Sequence, residues 1–509
     1  MNSILKGAGF RILPLFFFIT LSSAEPYAYT LGFYFAGDND LASQVDVDLE
    51  EIRKARYSEE LNVVIFADRG AGSVQPGSFV YIKRDTFLIQ IRDFGDLDSG
   101  DPQTLNFFVR FLRENYPSES YGLVLWGHGT SWMKSSDPFY KSIAFDAVSG
   151  NSIDVFNGEL KWAIPDTIFN FIVMDACLMG GIEVLWELQG KARYVVASPA
   201  LVPATGLNYM RFIDSFVSNI DNTILALNAI VNDYVEEYDS LGCSVLLSLY
   251  DLYKLQYIKT VLPGLVLESY NLAPHSLRKY RESSITYNLY SNEVQDTLAP
   301  FIDFCDFIGK WKGPHLFPFI LNSKGNGVFQ DAGGVSVYFP LSLNQVKEYF
   351  RKYRELSFER ETDFMDIVLN TLRLEYFEGS NSTSYVVKNV GGYPVISFPS
   401  LVKTTKWYFV LEVYRDGVLK QSISTCACSF PLRITPGVYT LRLKVVSPFD
   451  GLFCFSQVVP ESILVKEEDT PYYNSVLDSL GCAIDILGRN AGNNTKGILF
   501  KSGRKYLVY

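Results

Sequence analysis

The stretch most informative about the architecture of this chain is Phe171-Ile172-Val173-Met174-Asp175-Ala176-Cys177-Leu178-Met179-Gly180-Gly181. Its apolar run is typical of a buried β-strand that stops at Asp175, and the glycines then lead into a second apolar run that suits a helix. The residue after the strand in such a unit lies at the exposed tip of a sheet, beside a helix N-terminus. A thiol there gains thiolate character, because unpaired N–H groups favour the anion. Cys177 is therefore a candidate nucleophile.

A second stretch with the same pattern lies upstream and reads Tyr121-Gly122-Leu123-Val124-Leu125-Trp126-Gly127-His128-Gly129. Its apolar run also ends in a turn, and the turn carries His128, one of three histidines in the chain. If the two strands are parallel in one sheet, His128 and Cys177 emerge at the same edge. Their separation in the sequence is close to the roughly 50 positions found between the catalytic pair of caspases.

The residue types at these two strand ends suit acyl transfer. A thiolate attacks a carbonyl carbon, an imidazole supplies a proton to the leaving amine, and backbone N–H groups hold the oxyanion. We expect the N–H groups of Gly129 and Cys177 to form that oxyanion hole. Taken singly, His128 fits a structural turn histidine and Cys177 a buried core thiol. Taken together, their matched contexts favour a catalytic dyad.

Length and charge narrow the class of protein. The chain has 509 residues, too many for one hydrophobic core, so we expect two or three domains. Its net charge of −11 disfavours nucleic acid as a partner. We expect a monomer that acts on protein or peptide substrates.

The N-terminus has the pattern of a signal peptide. Lys6 and Arg11 precede the apolar run 12–21, and the small residues before Glu25 offer a cleavage site. The alternative is an uncleaved N-terminal anchor. No other apolar run reaches the length of a membrane span. We therefore expect a mature protein without a membrane span, either secreted or held in the periplasm or at the cell surface.

The cysteine count favours a free thiol. The seven cysteines are Cys177, Cys243, Cys305, Cys426, Cys428, Cys454 and Cys482. An odd number leaves at least one unpaired in an exported monomer, and Cys177 is the candidate. The last four either form disulfides or stay buried as small hydrophobes. A zinc site made from them is the weakest alternative, because their spacing fits no standard pattern and no histidine lies near.

The order of predicted elements indicates an α/β domain followed by a β domain. Strands and helices alternate from Thr30 onward, which predicts a mostly parallel sheet flanked by helices, with an antiparallel hairpin over 79–91. Short strands and turns after residue 380 suggest an immunoglobulin-like sandwich. We divide the chain into a signal peptide (1–24), an α/β domain (25–376), a β-sandwich (377–470) and a tail of uncertain structure (471–509).

These features together resemble the clostripain-type cysteine peptidases, relatives of gingipains, legumains and caspases. The matching elements within roughly 28–370 are Asp38-Asn39-Asp40-Leu41, Asp68-Arg69-Gly70, Leu125-Trp126-Gly127-His128-Gly129, Phe145-Asp146, Asp175-Ala176-Cys177-Leu178-Met179, Pro203 with Gly206, Ile302-Asp303-Phe304 and 334–340. The resemblance implies a caspase-like α/β fold, a dyad of His128 and Cys177, and endopeptidase activity.

The resemblance also implies a preference for Arg or Lys before the cleaved bond, held in part by Asp175. Asp175 is explained equally well as a structural carboxylate that accepts hydrogen bonds from local N–H groups at the tip of the sheet. Basic-specific relatives tend to carry an Asp before the glycine of a later loop, where this chain has Thr205 before Gly206. With one carboxylate in place of two, the charge of a buried Arg or Lys side chain of the substrate would be less completely paired, which weakens the case for a basic preference. A basic preference remains the leading hypothesis.

Some relatives are activated by cleavage in the loop after the histidine strand, where this chain has Lys134 and Lys141. Self-cleavage there competes with an ordinary exposed loop. Calcium dependence occurs in the family, but the sequence has no Asp-rich loop with the usual ligand spacing, so we expect no cofactor and no metal. Two other functions stay open: a catalytically inactive peptidase fold that binds proteins, and transpeptidation through the same acyl-enzyme.

Overall fold

The computed structural model describes residues 27–134, 141–269, 272, 274–292, 296, 298–372 and ten shorter stretches between 386 and 508. The predicted signal peptide, the predicted boundary at 376 and most of the tail lie outside the described residues. The described strands are β1 Tyr27–Gly37, β2 Leu61–Arg69, β3 Gly77–Arg84, β4 Phe87–Asp93, β5 Ser118–Trp126, β6 Gly129–Lys134, β7 Lys141–Asp146, β8 Asn151–Ile153, β9 Phe169–Asp175, β10 Ala192–Ala197, β11 Leu246–Asp251, β12 Thr286–Tyr287, β13 Phe301–Asp303, β14 Ile320–Gly325, β15 Ser336–Tyr338, β16 Val386–Val390, β17 Tyr393–Ser397, β18 Tyr408–Arg415, β19 Val418–Thr425, β20 Ser429–Pro431, β21 Gly437–Val446, β22 Phe453–Val458, β23 Ile463–Val465, β24 Gly497–Lys501 and β25 Arg504–Val508.

The described α-helices are α1 Ala42–Lys54, α2 Pro102–Asn115, α3 Glu159–Ala163, α4 Ile182–Glu187, α5 Tyr209–Ser218, α6 Thr223–Ser240, α7 Tyr257–Ser269, α8 Pro274–Glu282, α9 Phe304–Lys312, α10 Leu343–Glu355, α11 Ser357–Thr362 and α12 Met365–Leu372. The pair Asp101-Pro102 predicts the start of a helix, because Asp is a common N-cap and Pro suits the first helical position. Helix α2 begins there: Asp101 accepts a hydrogen bond from the N–H of Gln103, and Pro102 occupies the first turn. None of the described helices has the length and hydrophobicity that crossing a bilayer would require.

A nine-stranded sheet forms the centre of the α/β part, in the order β14-β11-β10-β9-β5-β1-β2-β3-β4. The five strands from β10 to β2 are parallel to one another. The two strands at each edge are antiparallel to their neighbours. The sheet is therefore mixed, and the prediction of a mostly parallel sheet holds only for its centre. Strands β3 and β4 confirm the predicted hairpin, since the turn between them is far too short for a parallel crossover.

Helices cover both faces of this sheet, as the sequence predicts. Alternate residues of a strand point to opposite faces, so β1 sends Phe33 and Phe35 into one hydrophobic cluster and Tyr34 and Ala36 into the other. Helices α1, α5 and α6 contribute to the first cluster. Helices α2, α4 and α7, among others, contribute to the second. Burying each large apolar side chain contributes about 1.5–3 kcal/mol, which fixes the register of the central strands.

The described strands after residue 385 form antiparallel sheets. Strands β18 and β19 form a hairpin, and Asp416 and Gly417 occupy its turn with φ of 51° and 73°. Positive φ at both central residues suits a tight two-residue turn. One sheet contains β16, β17 and β20, and another contains β18, β19, β21, β22 and β23. The β-rich character is confirmed, whereas the immunoglobulin-like sandwich and the domain limits stay predictions.

Candidate active site

The strands that precede His128 and Cys177 lie side by side in the sheet. Strands β5 and β9 are parallel neighbours, with Trp126 opposite Asp175, and the N–H of Gly127 donates to the carbonyl oxygen of Asp175 over 3.3 Å. His128 and Cys177 each follow this pair by two positions. Adjacent strands lie about 4.8 Å apart, so both residues emerge next to each other at the carboxyl edge of the sheet. The predicted placement of the two strands is confirmed.

Both turns at this edge use backbone conformations that few residues adopt. Gly127 has φ of 141°, and a Cβ atom there would lie 3.0 Å from the carbonyl oxygen of Ala36. Leu178 has φ of 63°, which is costly for a non-glycine residue. Its N–H donates a hydrogen bond to the carbonyl oxygen of Ala200. His128 and Cys177 are the partly exposed residues in otherwise buried stretches. The turns therefore place two partly exposed residues, His128 and Cys177, at this edge of the sheet.

Gly129 forms the contact between the two turns. A Cβ atom at this position would lie 2.5 Å from the carbonyl oxygen of Cys177 and 3.0 Å from Cβ of Ala176. Only a residue without a side chain allows this approach. The contact is consistent with an oxyanion hole made by the N–H groups of Gly129 and Cys177, and that role stays a prediction.

Asp40 holds the imidazole of His128. Its Oδ1 atom lies 2.7 Å from Nε2 of His128. An ionised carboxylate only accepts hydrogen bonds, so this contact assigns the ring proton of a neutral imidazole to Nε2. Nδ1 then carries the lone pair and is the nitrogen left for proton transfer with a substrate or with the thiol. The side chain of His128 is 27% exposed, so solvent and substrate can reach it.

The loop that carries Asp40 is itself fixed by hydrogen bonds. The side-chain amide of Asn39 donates to the carbonyl oxygens of Phe145 at 2.6 Å and Ala36 at 3.0 Å. The N–H of Ala144 donates to the carbonyl oxygen of His128 over 3.1 Å. The hairpin of β6 and β7 therefore connects the histidine turn with the loop after β1.

The thiol of Cys177 faces the loop after β10. The N–H of Val202 donates to Sγ over 3.2 Å, and Sγ also lies 3.5 Å from the carbonyl oxygen of Val202. Burial raises the pKa of the Cys177 thiol, and the Val202 N–H only partly opposes that effect. Helix α4 begins five positions later and spans six residues. The prediction that a helix N-terminus lowers the pKa of this thiol is therefore wrong.

Asp175 is almost completely buried and bonded within the protein. Its Oδ2 atom accepts hydrogen bonds from the N–H of Leu207 at 2.9 Å and the hydroxyl of Tyr209 at 2.8 Å. Burial raises its pKa to about 6. A Cβ atom on Gly206 would lie 2.5 Å from this carboxylate. These are the contacts of a carboxylate that fastens the 199–208 loop to the strand tip, and a role in substrate binding stays a prediction.

Thr205 lies at the exposed tip of the same loop. Its Oγ1 atom is 2.6 Å from the hydroxyl of Tyr238, which in turn donates to the carbonyl oxygen of Gly206 over 2.8 Å. Thr205 therefore acts as the donor to Tyr238. The structure places Thr205 beside the glycine that touches Asp175, in the region where the sequence predicts substrate contacts.

The two lysines predicted for self-cleavage lie at the ends of β6 and β7. The backbones of Lys134 and Lys141 pair with each other across this hairpin. Residues 135–140 between them lie outside the described part of the chain. Cleavage in this segment stays a prediction.

Three carboxylates close to the loop that carries Asp40 form a group that could hold a metal ion. Oxygen atoms of Asp38, Asp68 and Asp146 all lie within 4.8 Å of one another. The carboxylate of Asp146 accepts hydrogen bonds from the N–H groups of Ser99 and Ser149. Burial raises the pKa of Asp68 to about 7. All three lie in segments that match the family pattern, but their spread over more than a hundred positions leaves no local signal that the carboxylates meet.

An α/β sheet that presents a histidine and a cysteine side by side at its carboxyl edge has the layout of the cysteine peptidases with this architecture. Residues 33–315 match the sequence model of the Clostripain family, Peptidase_C11. The match covers more than half of the chain, and this protein therefore belongs to the clostripain family. The predicted family resemblance is confirmed.

Known relatives agree with this assignment at low sequence identity. Clostripain of Hathewaya histolytica is 24% identical over 341 residues, which cover 55% of this chain and 65% of that protein. The chain thus matches slightly less than two thirds of the length of this curated relative. A secreted C11 cysteine protease of Bacteroides thetaiotaomicron, solved with an irreversible peptide inhibitor, has a TM-score of 0.52 at 18% identity. That comparison covers 66% of this chain and 99% of the other.

A second solved structure has the same fold. An inactive zymogen C11 protease of Parabacteroides distasonis has a TM-score of 0.52 at 20% identity and covers 66% of this chain and 98% of its own. At this identity the two solved structures establish the similarity of fold and nothing more about the chemistry.

Proposed function

We propose that this protein is an exported cysteine endopeptidase that hydrolyses peptide bonds through Cys177 and His128. The observation that carries the proposal is the register of β5 and β9, which brings the two residues to one edge side by side. Membership of the clostripain family supports it. The description of one similar structure as a secreted protease supports the exported location.

The proposed reaction uses the two strand tips as a unit. Nδ1 of His128 removes the thiol proton, and Sγ of Cys177 attacks the carbonyl carbon of the scissile bond. The N–H groups of Gly129 and Cys177 hold the oxyanion. The imidazolium then protonates the amine as the C–N bond breaks, leaving a thioester. Water, deprotonated by the same imidazole, attacks the thioester and releases the acid and the thiol.

The direct test is labelling with a peptide that carries a thiol-reactive group at its C-terminus. We expect the wild type to be labelled once per chain and Cys177→Ala to be unlabelled. Cys243→Ala is the matched control, because Cys243 is another partly exposed free cysteine. Equal labelling of Cys177→Ala and the wild type would exclude Cys177 as the nucleophile.

A preference for Arg or Lys before the cleaved bond is the second part of the proposal. It rests on the family resemblance and on Asp175, and it is weakened because the Oδ2 atom of Asp175 already accepts two hydrogen bonds. A panel of fluorogenic peptides that differ only at this position tests it. Thr205→Asp adds a second carboxylate at the loop tip, so we expect at least a tenfold gain in kcat/KM for Arg over Leu peptides. Thr205→Asn is the control of equal size. Identical kcat/KM values for the two variants across the peptide panel would exclude Thr205 as a residue of the specificity pocket.

N-terminal sequencing of the exported protein tests location and self-cleavage together. We expect Glu25 as the first residue of both the wild type and Cys177→Ala. Cleavage after Lys134 or Lys141 would add a second N-terminus in the wild type alone. Identical fragments from both proteins would exclude self-cleavage.

A protein-binding role without catalysis is the alternative. The observation that favours it is the thiol itself, which lies against Val202 and has a raised pKa. Under this alternative the labelling probe reacts with neither protein, and no peptide of the panel is hydrolysed.

A further inference from the structure

The loop after β10 runs alongside the turn that carries Cys177. The carbonyl oxygens of Ser198 and Ala200 accept hydrogen bonds from N–H groups of this turn, over 2.8 and 2.9 Å. Two positions further on, the N–H of Val202 donates to Sγ of Cys177 over 3.2 Å. Every second residue of the 198–202 segment therefore faces the cysteine turn, which is the alternation that an extended backbone gives.

Leu201 faces the opposite way, and the side chain of Asn292 holds it there. Oδ1 of Asn292 accepts a hydrogen bond from the N–H of Leu201 over 3.2 Å, and Nδ2 donates to the carbonyl oxygen of Leu201 over 2.9 Å. Nδ2 also donates over 3.0 Å to the carbonyl oxygen of Ser244, just before β11, the antiparallel neighbour of β10. One side-chain amide thus takes both backbone groups of Leu201 and ties them to the next strand of the sheet.

The chemistry of an amide suits this position. The nitrogen of Asn292 has two protons and meets two carbonyl oxygens, whereas its oxygen meets an N–H, so one orientation of the amide makes every bond. A carboxylate of the same size could still accept from the N–H of Leu201, but its second oxygen would face the two carbonyl oxygens. Alanine would remove all of these bonds. The two substitutions therefore separate the effect of the hydrogen bonds from that of side-chain volume.

We propose that Asn292 is a positioning residue for the peptidase reaction, and that it acts by holding the 198–202 segment against Cys177. The segment lies between the two residues, with Asn292 bonded to one edge and the cysteine turn to the other. It shields the thiol from solvent while no substrate is bound, and it keeps this side of the thiol in one place when a peptide binds. The effect on catalysis rests on the proposed function, whereas the shielding of the thiol does not depend on it.

Loss of these hydrogen bonds should change the reactivity toward a small reagent and toward a peptide in opposite directions. Iodoacetamide needs only access to the thiol, so a loosened segment should speed the alkylation of Cys177 about threefold or more. A peptide must be aligned with both the thiol and the imidazole, so kcat/KM should fall about tenfold or more. The pH midpoint of alkylation should also move down toward that of an ordinary cysteine, because burial is the main cause of the raised pKa of this thiol.

Mass spectrometry of the alkylated peptides measures these changes in the full-length wild type, Asn292→Ala and Asn292→Asp. Cys305, a free cysteine in α9 whose thiol pKa is also raised by burial, is the internal reference. Its alkylation should stay as slow in both variants as in the wild type. Asn228→Ala is the matched control, because the Asn228 side chain donates to the carbonyl oxygen of Ile224 within its own helix over 2.9 Å. This control should match the wild type in alkylation and in kinetics.

Hydrogen exchange provides a second readout that requires neither thiol chemistry nor activity. The N–H groups of Leu201 and Val202 should exchange faster in both Asn292 variants, while those of β10 keep their wild-type rates. Unchanged exchange and alkylation in these variants would overturn the positioning role, and so would faster alkylation of Cys305 together with Cys177, which marks a general loosening of the fold. Faster alkylation of Cys177 with unchanged kcat/KM would overturn the effect on catalysis. A wild type that hydrolyses no peptide would overturn the proposed function instead, and exchange and alkylation would still decide whether Asn292 holds the segment.

Discussion

Nε2 of His128 lies 2.7 Å from Oδ1 of Asp40, although 88 positions separate the two residues in the chain. The contact fixes both the orientation of the ring and the nitrogen that carries its proton. A carboxylate also stabilises the imidazolium that forms when the thiol proton is transferred. Asp40 is therefore a positioning residue for the proposed reaction, and it acts through His128 rather than on the substrate.

Replacement of Asp40 with Asn should lower kcat about 10–100-fold with little change in KM, because the amide keeps the size but not the charge of the carboxylate. Steady-state kinetics with one good peptide substrate measures the effect. The unfolding temperature should not change, since Asp40 is 76% exposed. Asp96→Asn is the control for loss of an exposed acid, and an unchanged kcat in Asp40→Asn would exclude the positioning role.

The thiol of Cys177 should be poorly reactive at neutral pH when no substrate is bound. Burial raises its pKa, so the thiolate fraction at a given pH is smaller than for an ordinary cysteine, whose pKa is about 8.5. The rate of iodoacetamide alkylation should rise with pH to a midpoint above that value. Mass spectrometry of the peptide that contains Cys177 measures the rate in a Cys243→Ala background. A midpoint below about 7 would show that Cys177 is held as a thiolate by His128 in the free protein.

Gly129→Ala should separate the two strand tips. The added Cβ atom would lie 2.5 Å from the carbonyl oxygen of Cys177, so the turns must move apart. We expect a loss of about 1–3 kcal/mol of stability and at least a tenfold loss of kcat/KM. Gly309→Ala in α9 is the matched control: no atom lies within 4 Å of its Cβ position, and Ala favours a helix. Equal behaviour of the two variants in urea unfolding and in kinetics would contradict the close contact.

The sequence predicted what depends on local patterns. An apolar run that ends in Gly127 or Asp175 marks a buried strand and its tip, and alternation with helices predicts the parallel neighbours that bring His128 and Cys177 together. The sequence also marked Asp101 and Pro102 as the start of a helix. Each of these predictions uses residues that are close in the chain.

The features that were missed depend on contacts between distant loops. Asp40 was noted as part of a family motif, but nothing local indicates that it reaches His128. The raised pKa of Cys177 comes from burial of its thiol in the folded protein, which the strand–turn pattern does not indicate. Asp38, Asp68 and Asp146 lie on separate elements, so local sequence patterns do not indicate that their carboxylates meet.

Glu183 offers a test of the buried electrostatics beneath the active site. It is fully buried in α4, where Oε1 accepts the N–H of Tyr338 at 2.8 Å and the hydroxyl of Tyr353 at 3.0 Å. Oε2 has no hydrogen-bond partner among the described residues. Burial raises the pKa of Glu183 from its ordinary 4.5 to about 7. Between these two values the folded protein keeps the proton that the unfolded chain has lost, so stability falls as the pH rises from about 4.5 to 7.

Replacement of Glu183 with Gln should remove this pH dependence. The amide oxygen can accept both existing hydrogen bonds, and the amide nitrogen replaces Oε2 close to the hydroxyls of Ser131 and Ser336, which lie around Gly181 together with Glu183. At pH 8 the variant should be more stable than the parent by up to about 3 kcal/mol, because it avoids a buried charge. At pH 4.5 the two proteins should be nearly equal. Urea unfolding at both pH values, in the Cys177→Ala background, measures the difference. Profiles that stay parallel over this range would mean that Glu183 is neutralised by a cation or ionises without cost, because only a carboxyl that is protonated in the folded state produces the predicted divergence.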